Sequence, residues 1–122
     1  MNEKTEKGSK AEDLAAEYLS GKGYKVLERN WRSGHREIDI IAESQNRLVI
    51  VEVKARSDKN AETPAELLSR QKMRFLADAA EDYIFKKNIL METRFDMISI
   101  IFSKNERKIE HIESVFIPGV NW

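Results

Sequence analysis

Two kinds of apolar spacing divide the chain. Ala11, Leu14, Ala15, Tyr18 and Leu19 recur at helical intervals, which predicts a helix over 10–21 that Gly21-Lys22-Gly23 ends. Alternating or continuously apolar segments then predict three strands, over 24–31, 37–42 and 48–55. Pro64 suits the first position of a second helix, which continues to about residue 87. Strands over 94–102 and 108–116 follow, then a turn at Pro118-Gly119. Residues 1–7 are polar and charged and read as a disordered tail ahead of a domain over 8–122. The order αβββαββ predicts one α/β domain, a mixed central sheet with helices packed against it.

Composition narrows the setting. A chain of 122 residues suits one modest core, and 41% hydrophobic with 34% charged residues describes a soluble globular protein. The absence of cysteine excludes disulfides and thiolate metal sites, and agrees with a reducing cytoplasm, the expected location. No apolar run approaches the roughly 18–20 residues that cross a bilayer, and no hydrophobic segment follows the N-terminal charges, so neither a membrane span nor a signal peptide is expected. The 21 basic and 21 acidic residues cancel, so any contact with nucleic acid needs a local patch.

The third strand poses a chemical question. Val49-Ile50-Val51-Glu52-Val53-Lys54 is β-branched enough for a sheet interior, yet carries a carboxylate and an ammonium. Alternation puts Leu48, Ile50, Glu52 and Lys54 on one face, and Val49, Val51 and Val53 on the other. In the preceding strand it groups Glu37, Asp39 and Ile41 against Ile38 and Ile40. A hairpin centred between Gln45 and Asn46 pairs Ile41 with Ile50, Asp39 with Glu52 and Glu37 with Lys54. On the apolar face the same register pairs Ile40 with Val51 and Ile38 with Val53. A slip of one residue would set charge against core everywhere.

Two opposed acids have Cβ atoms about 4.5–5.5 Å apart and repel unless something positive joins them. A shared proton would serve. A hard cation such as Mg²⁺ would serve better, and Lys54 would reach the same locus beside a phosphate. The competing account is a solvated face with cross-strand ion pairs, Glu37 with Lys54 among them.

Asp39, twelve intervening residues and then Glu52-Val53-Lys54 resemble the D-(x)n-(D/E)-x-K signature of the PD-(D/E)xK nuclease superfamily. More closely, the chain resembles the YraN-like family of bacterial endonuclease-like proteins. The blocks that carry this are AEDLAAEYL (11–19), GYKVLERNWR (23–32), EIDII (37–41), VIVEVKAR (49–56), RFDMISI (94–100) and EHIESVF (110–116). The resemblance implies a restriction-endonuclease-like fold, similar also to Holliday-junction resolvases. It implies that Asp39 and Glu52 bind Mg²⁺ or Mn²⁺, that Lys54 orients the attacking water or stabilises charge on the phosphate, and that Glu12 adds a helical acid. Arg36 and Ala11 stand where that family usually has glycine, and Ile38 replaces the proline of the superfamily's name.

Other residues keep two readings. Ser9-Lys10-Ala11-Glu12 is also a capping box, which would turn Glu12 back to the Ser9 amide. Lys72 lies on the stripe Leu68, Lys72, Leu76, Ala79, Tyr83, and either snorkels to solvent or approaches the carboxylates. Lys22, Lys25, Arg29, Arg32 and Arg36 outnumber the single Glu28 between residues 22 and 36, enough to track a phosphate backbone. Tyr24 and Trp31 within that run would stack on bases or fill the core. His35 and His111 are too far apart in sequence to suggest a zinc site; His111 is expected to be a hydrogen-bonded strand residue.

The leading expectation is a Mg²⁺- or Mn²⁺-dependent endonuclease acting on DNA, branched or structured DNA included, by in-line hydrolysis. A homodimer would suit the cutting of two strands. The rivals are a non-catalytic nucleic-acid-binding module that keeps the fold, and a protein-interaction adaptor.

Overall fold

A computed structural model describes residues 5–57 and 64–120, with the backbone alone at 64 and 65. The elements are α1 (Glu6–Gly21), β1 (Lys25–Ser33), β2 (Arg36–Ser44), β3 (Arg47–Ser57), α2 (Pro64–Leu67), α3 (Arg70–Lys87), β4 (Glu92–Phe102) and β5 (Arg107–Phe116). The strands form one five-stranded sheet in sequence order. All neighbours are antiparallel except β3 and β4, which the α2–α3 crossover joins as a parallel pair. This is a single α/β domain with a mixed sheet, as expected.

Helix α1 packs Ala11, Ala15 and Leu19 on one sheet face, against Ile40, Ala42, Val49, Val51, Ile98 and Ile100. Helix α3 packs Leu76, Ala79, Ala80 and Tyr83 on the other, against Ile38, Ile41, Leu48, Ile50 and Met97. Central strands covered on both sides must be apolar on both sides, which is why β3 reads as a continuous apolar run.

Two helix boundaries differ from expectation. Thr5, not Ser9, caps α1: its hydroxyl accepts the Gly8 amide at 2.9 Å, and Ser9 N–H already bonds the Thr5 carbonyl. The capping box at Ser9 is therefore absent, and Glu6 and Lys7, assigned to the tail by sequence, are helical. Positions 1–4 lie outside the described residues. The long second helix is broken after Leu67, where extended Ser69 caps α3 by accepting the Lys72 amide at 3.1 Å. At its other end Asn88, at a φ of 53°, closes α3 in the left-handed conformation, one residue beyond the expected stop.

The β2–β3 hairpin is tighter than its polar loop suggested. Only Gln45 and Asn46 lie outside the strands, with φ of 50° and 61°, as a two-residue type I′ turn requires. The register is the expected one through Ser44–Arg47, Ala42–Val49, Ile41–Ile50 and Ile40–Val51.

Candidate functional site

Beyond Ile40–Val51 the ladder stops, and the expected Ile38–Val53 and Glu37–Lys54 pairs do not form. The Asp39 side chain takes over instead, with Oδ2 accepting the Val53 amide at 2.8 Å. Alternation in β2 also slips here. Ile38 and Ile41 both join the α3-side core, while Ile40 lies on the α1 side. The predicted grouping of Ile38 with Ile40 is therefore wrong. The partner strand carries a matching irregularity. Asn30, across from Asp39 between the Arg29–Ile40 and Trp31–Ile38 pairs, has a φ of 53°. A left-handed residue reverses the local strand twist, and asparagine tolerates it better than most side chains.

A cleft of about 300 Å³ opens where the strands part. Its walls are Thr5, Gly8 and Glu12 of the first helix and its cap, Glu37 and Asp39 of β2, Glu52, Val53 and Ala55 of β3, and Lys72 of α3. Carboxylate oxygens of Glu12, Glu37 and Asp39 all lie within 4.8 Å of one another. Glu12 reaches the cleft because it borders the buried stripe Ala11, Ala15, Leu19, not because it caps anything. Glu37 arrives because of the slip at Asp39. Sequence alternation had paired it with Lys54, so its place beside Glu12 was missed; it bonds Arg32 at 3.2 Å.

The α3 side of the cleft is different in charge. Lys54 Nζ and Lys72 Nζ approach Glu52 Oε2 at 3.6 and 3.7 Å. The reading in which Lys72 approaches the carboxylates is the one observed. Asp39, Glu52 and Glu12 are 8%, 4% and 5% exposed, so the acids sit inside the fold rather than on a solvated face. Burial, then the charge of Asp39, push the Glu52 carboxyl up to about 7; the two lysines oppose this, and a hydrogen bond with Asp39 adds to it. Asp39 and Glu52 thus meet as predicted, and Glu52 Oε1 is buried with no hydrogen-bond donor.

The basic run of β1 does not form one patch. Arg29 pairs with Asp13 of α1 at 2.7 Å. Arg36 lies on the opposite face, over the Phe75 ring and 3.5 Å from Asp78 of α3. Lys25 is exposed on the edge strand, away from the cleft walls. Of the cations proposed for nucleic acid, Lys72 lines the cleft, and Arg32 adjoins it through Glu37. Alternation and the slip at Asn30 divide the others between the two faces. Trp31 packs edge-on against Tyr83 with centroids 5.1 Å apart, so it fills the core rather than offering a stacking platform.

One buried constellation escaped the sequence reading. Asp96, 1% exposed, accepts from Arg94 Nε and Nη2 at 2.9 and 2.8 Å and from the Ser114 amide at 3.1 Å, and its Oδ2 lies 2.8 Å from His111 Nε2. Arg94 also donates to the Tyr24 hydroxyl at 2.8 Å. His111 is thus the hydrogen-bonded strand residue expected. The only sequence trace was Arg94-x-Asp96, two like-facing charges on a strand.

No helix among the described residues is long and apolar enough to cross a membrane. Compared with known proteins, the chain is 41% identical over 116 residues to a UPF0102 protein of Flavobacterium psychrophilum, covering 95% of this chain and 98% of that one. It is 37% identical over 120 residues to a UPF0102 protein of Phocaeicola vulgatus, covering 98% and 99%. A UPF0102 protein of Bacteroides fragilis is 41% identical over 111 residues, covering 91% and 92%. The family model described as "Uncharacterised protein family UPF0102" matches residues 11–100, a span that takes in Glu12, Glu37, Asp39, Glu52, Lys54 and Lys72. The acidic cleft and its lysines thus lie within the matched span, and the chain belongs to the UPF0102 family.

Proposed function

We propose that the protein is a metal-dependent, nuclease-like hydrolase of DNA phosphodiester bonds, related to the PD-(D/E)xK superfamily and carrying its restriction-endonuclease-like fold. One observation carries this reading: Asp39 and Glu52 converge where β2 and β3 part, with two lysines beside Glu52. The order of helical acid, strand acid, hairpin and E-x-K supports the superfamily assignment.

The residues fit a hard divalent cation. Every acidic donor is a carboxylate oxygen, the donor type Mg²⁺ and Mn²⁺ take, and Glu52 Oε1 is a buried acceptor with nothing to accept. Asp39 and Glu52, with Glu12, would hold the ion, which supplies Lewis-acid activation of water and of the phosphoryl oxygen. Asp39 is braced by the Val53 amide, so its position is set before any ligand arrives. The Lys54 and Lys72 ammonium groups neutralise Glu52, and from that place each can donate to a phosphate oxygen as negative charge builds on it. Arg32 at the rim can hold the flanking backbone.

The test is incubation with supercoiled, linear and four-way-junction DNA in Mg²⁺ or Mn²⁺, beside Asp39→Asn. Metal-dependent cleavage lost in the variant supports the reading. Equal residual cleavage by both proteins, or salt-sensitive binding indifferent to EDTA with no cleavage, would leave a binding module in its place.

A further inference from the structure

The acids of the cleft are not equivalent. Lys54 and Lys72 attend Glu52, from the side of the sheet that α3 covers. Glu12, Glu37 and Asp39 gather toward α1, with their oxygens within 4.8 Å of one another. Glu37 is the member no signature predicts. Its side chain is 17% exposed, and its carboxylate holds Arg32, itself 49% exposed, at 3.2 Å. A second observation points to an absent ligand: Glu52, 4% exposed, lines the same cleft with Oε1 buried and lacking a donor.

We infer that Glu37 is an oxygen donor to a divalent cation held on the α1 side of the cleft by Glu12, Glu37 and Asp39, with Arg32 as its counter-ion when no cation is bound. The inference rests on the metal-dependent reading above and adds to it a ligand and a side. Three clustered carboxylates crowd negative charge that one exposed arginine offsets weakly, since solvent screens its attraction. A dication at their centre is met by three hard donors and keeps positions for water. Arg32 then competes with the cation for the same carboxylate. Removing the arginine should tighten cation binding, whereas removing the carboxylate should weaken it.

The experiment is calorimetric titration of metal-free protein with Mn²⁺, for wild type, Asp39→Asn, Glu37→Gln and Arg32→Gln. The expected pattern is binding by wild type, loss in Asp39→Asn, at least tenfold weaker binding in Glu37→Gln and tighter binding in Arg32→Gln. Wild type that binds no Mn²⁺ sinks the metal-dependent reading and this inference together. Loss in Asp39→Asn with Glu37→Gln within twofold of wild type overturns this inference alone. Weaker binding by Arg32→Gln overturns the competition. Should Glu37→Gln not fold, the wild-type Glu37 carboxyl carbon decides the matter by NMR. Its resonance should move with that of Asp39 on adding Mg²⁺, and a stationary Glu37 overturns the assignment.

Discussion

Asp39 Oδ2 accepts the Val53 amide at 2.8 Å, a side chain completing a sheet that the main chain leaves open. The bond does two jobs. It ends the β2–β3 ladder without orphaning an inner N–H, and it fixes a carboxylate next to Glu52. Removing it should therefore disturb stability and charge separately. Asp39→Asn keeps an acceptor for Val53 and loses only the charge, whereas Asp39→Ala strands the amide. We expect Asp39→Ala to cost about 1–3 kcal/mol more than Asp39→Asn in urea unfolding. Equal stability of the two would show that the Val53 bond contributes nothing.

The proton on Glu52 sets a pH dependence. Its carboxyl rises from 4.5 to about 7 on folding, because it is buried and because Asp39 is beside it. Between those values the folded chain holds more protons than the unfolded chain. Stability should fall as pH rises through that window and level off above it, by on the order of 3 kcal/mol in all. Glu52→Gln should remove this slope, as seen by denaturation at pH 5, 6, 7 and 8. A wild-type profile flat across the window would mean that Glu52 ionises normally.

Asp96 should act in the opposite direction. Burial opposes its ionisation, but hydrogen bonds from His111, Arg94 and Ser114 outweigh that and hold it below the ordinary carboxylate range. Its contribution is present above the ordinary value of 3.8 and disappears as pH falls below it. Asp96→Asn leaves the largely buried Arg94 guanidinium without its counter-charge. The expected loss is about 3 kcal/mol or more, measured at neutral pH. A loss under about 1 kcal/mol would show that water or Glu113, 3.6 Å from Arg94 Nη1, replaces the bond.

Asn30 tests the kink across from Asp39. At a φ of 53°, glycine should be as stable as asparagine or gain up to about 1 kcal/mol, whereas valine should cost about 1–2 kcal/mol. Thermal melting of Asn30→Gly and Asn30→Val distinguishes this from an ordinary strand position, where valine would be the better residue.

The sequence alone determined the strand segments, the β2–β3 register from Ile40 to Ser44 and the meeting of Asp39 with Glu52. These follow from periodicity and pairing, which are properties of neighbouring residues. It did not determine that Thr5 caps α1, that Ser69 interrupts the crossover helix or that Glu37 joins Glu12. Nor did it show that the arginines of β1 part to opposite faces, or that Arg94, Asp96 and His111 close a buried network. Each of those depends on a left-handed residue, a side chain standing in for main chain, or a contact between distant strands. Local propensity is nearly neutral toward such choices. Packing the sheet between two helices decides them, because only there does an unsatisfied amide or a misplaced charge acquire its cost.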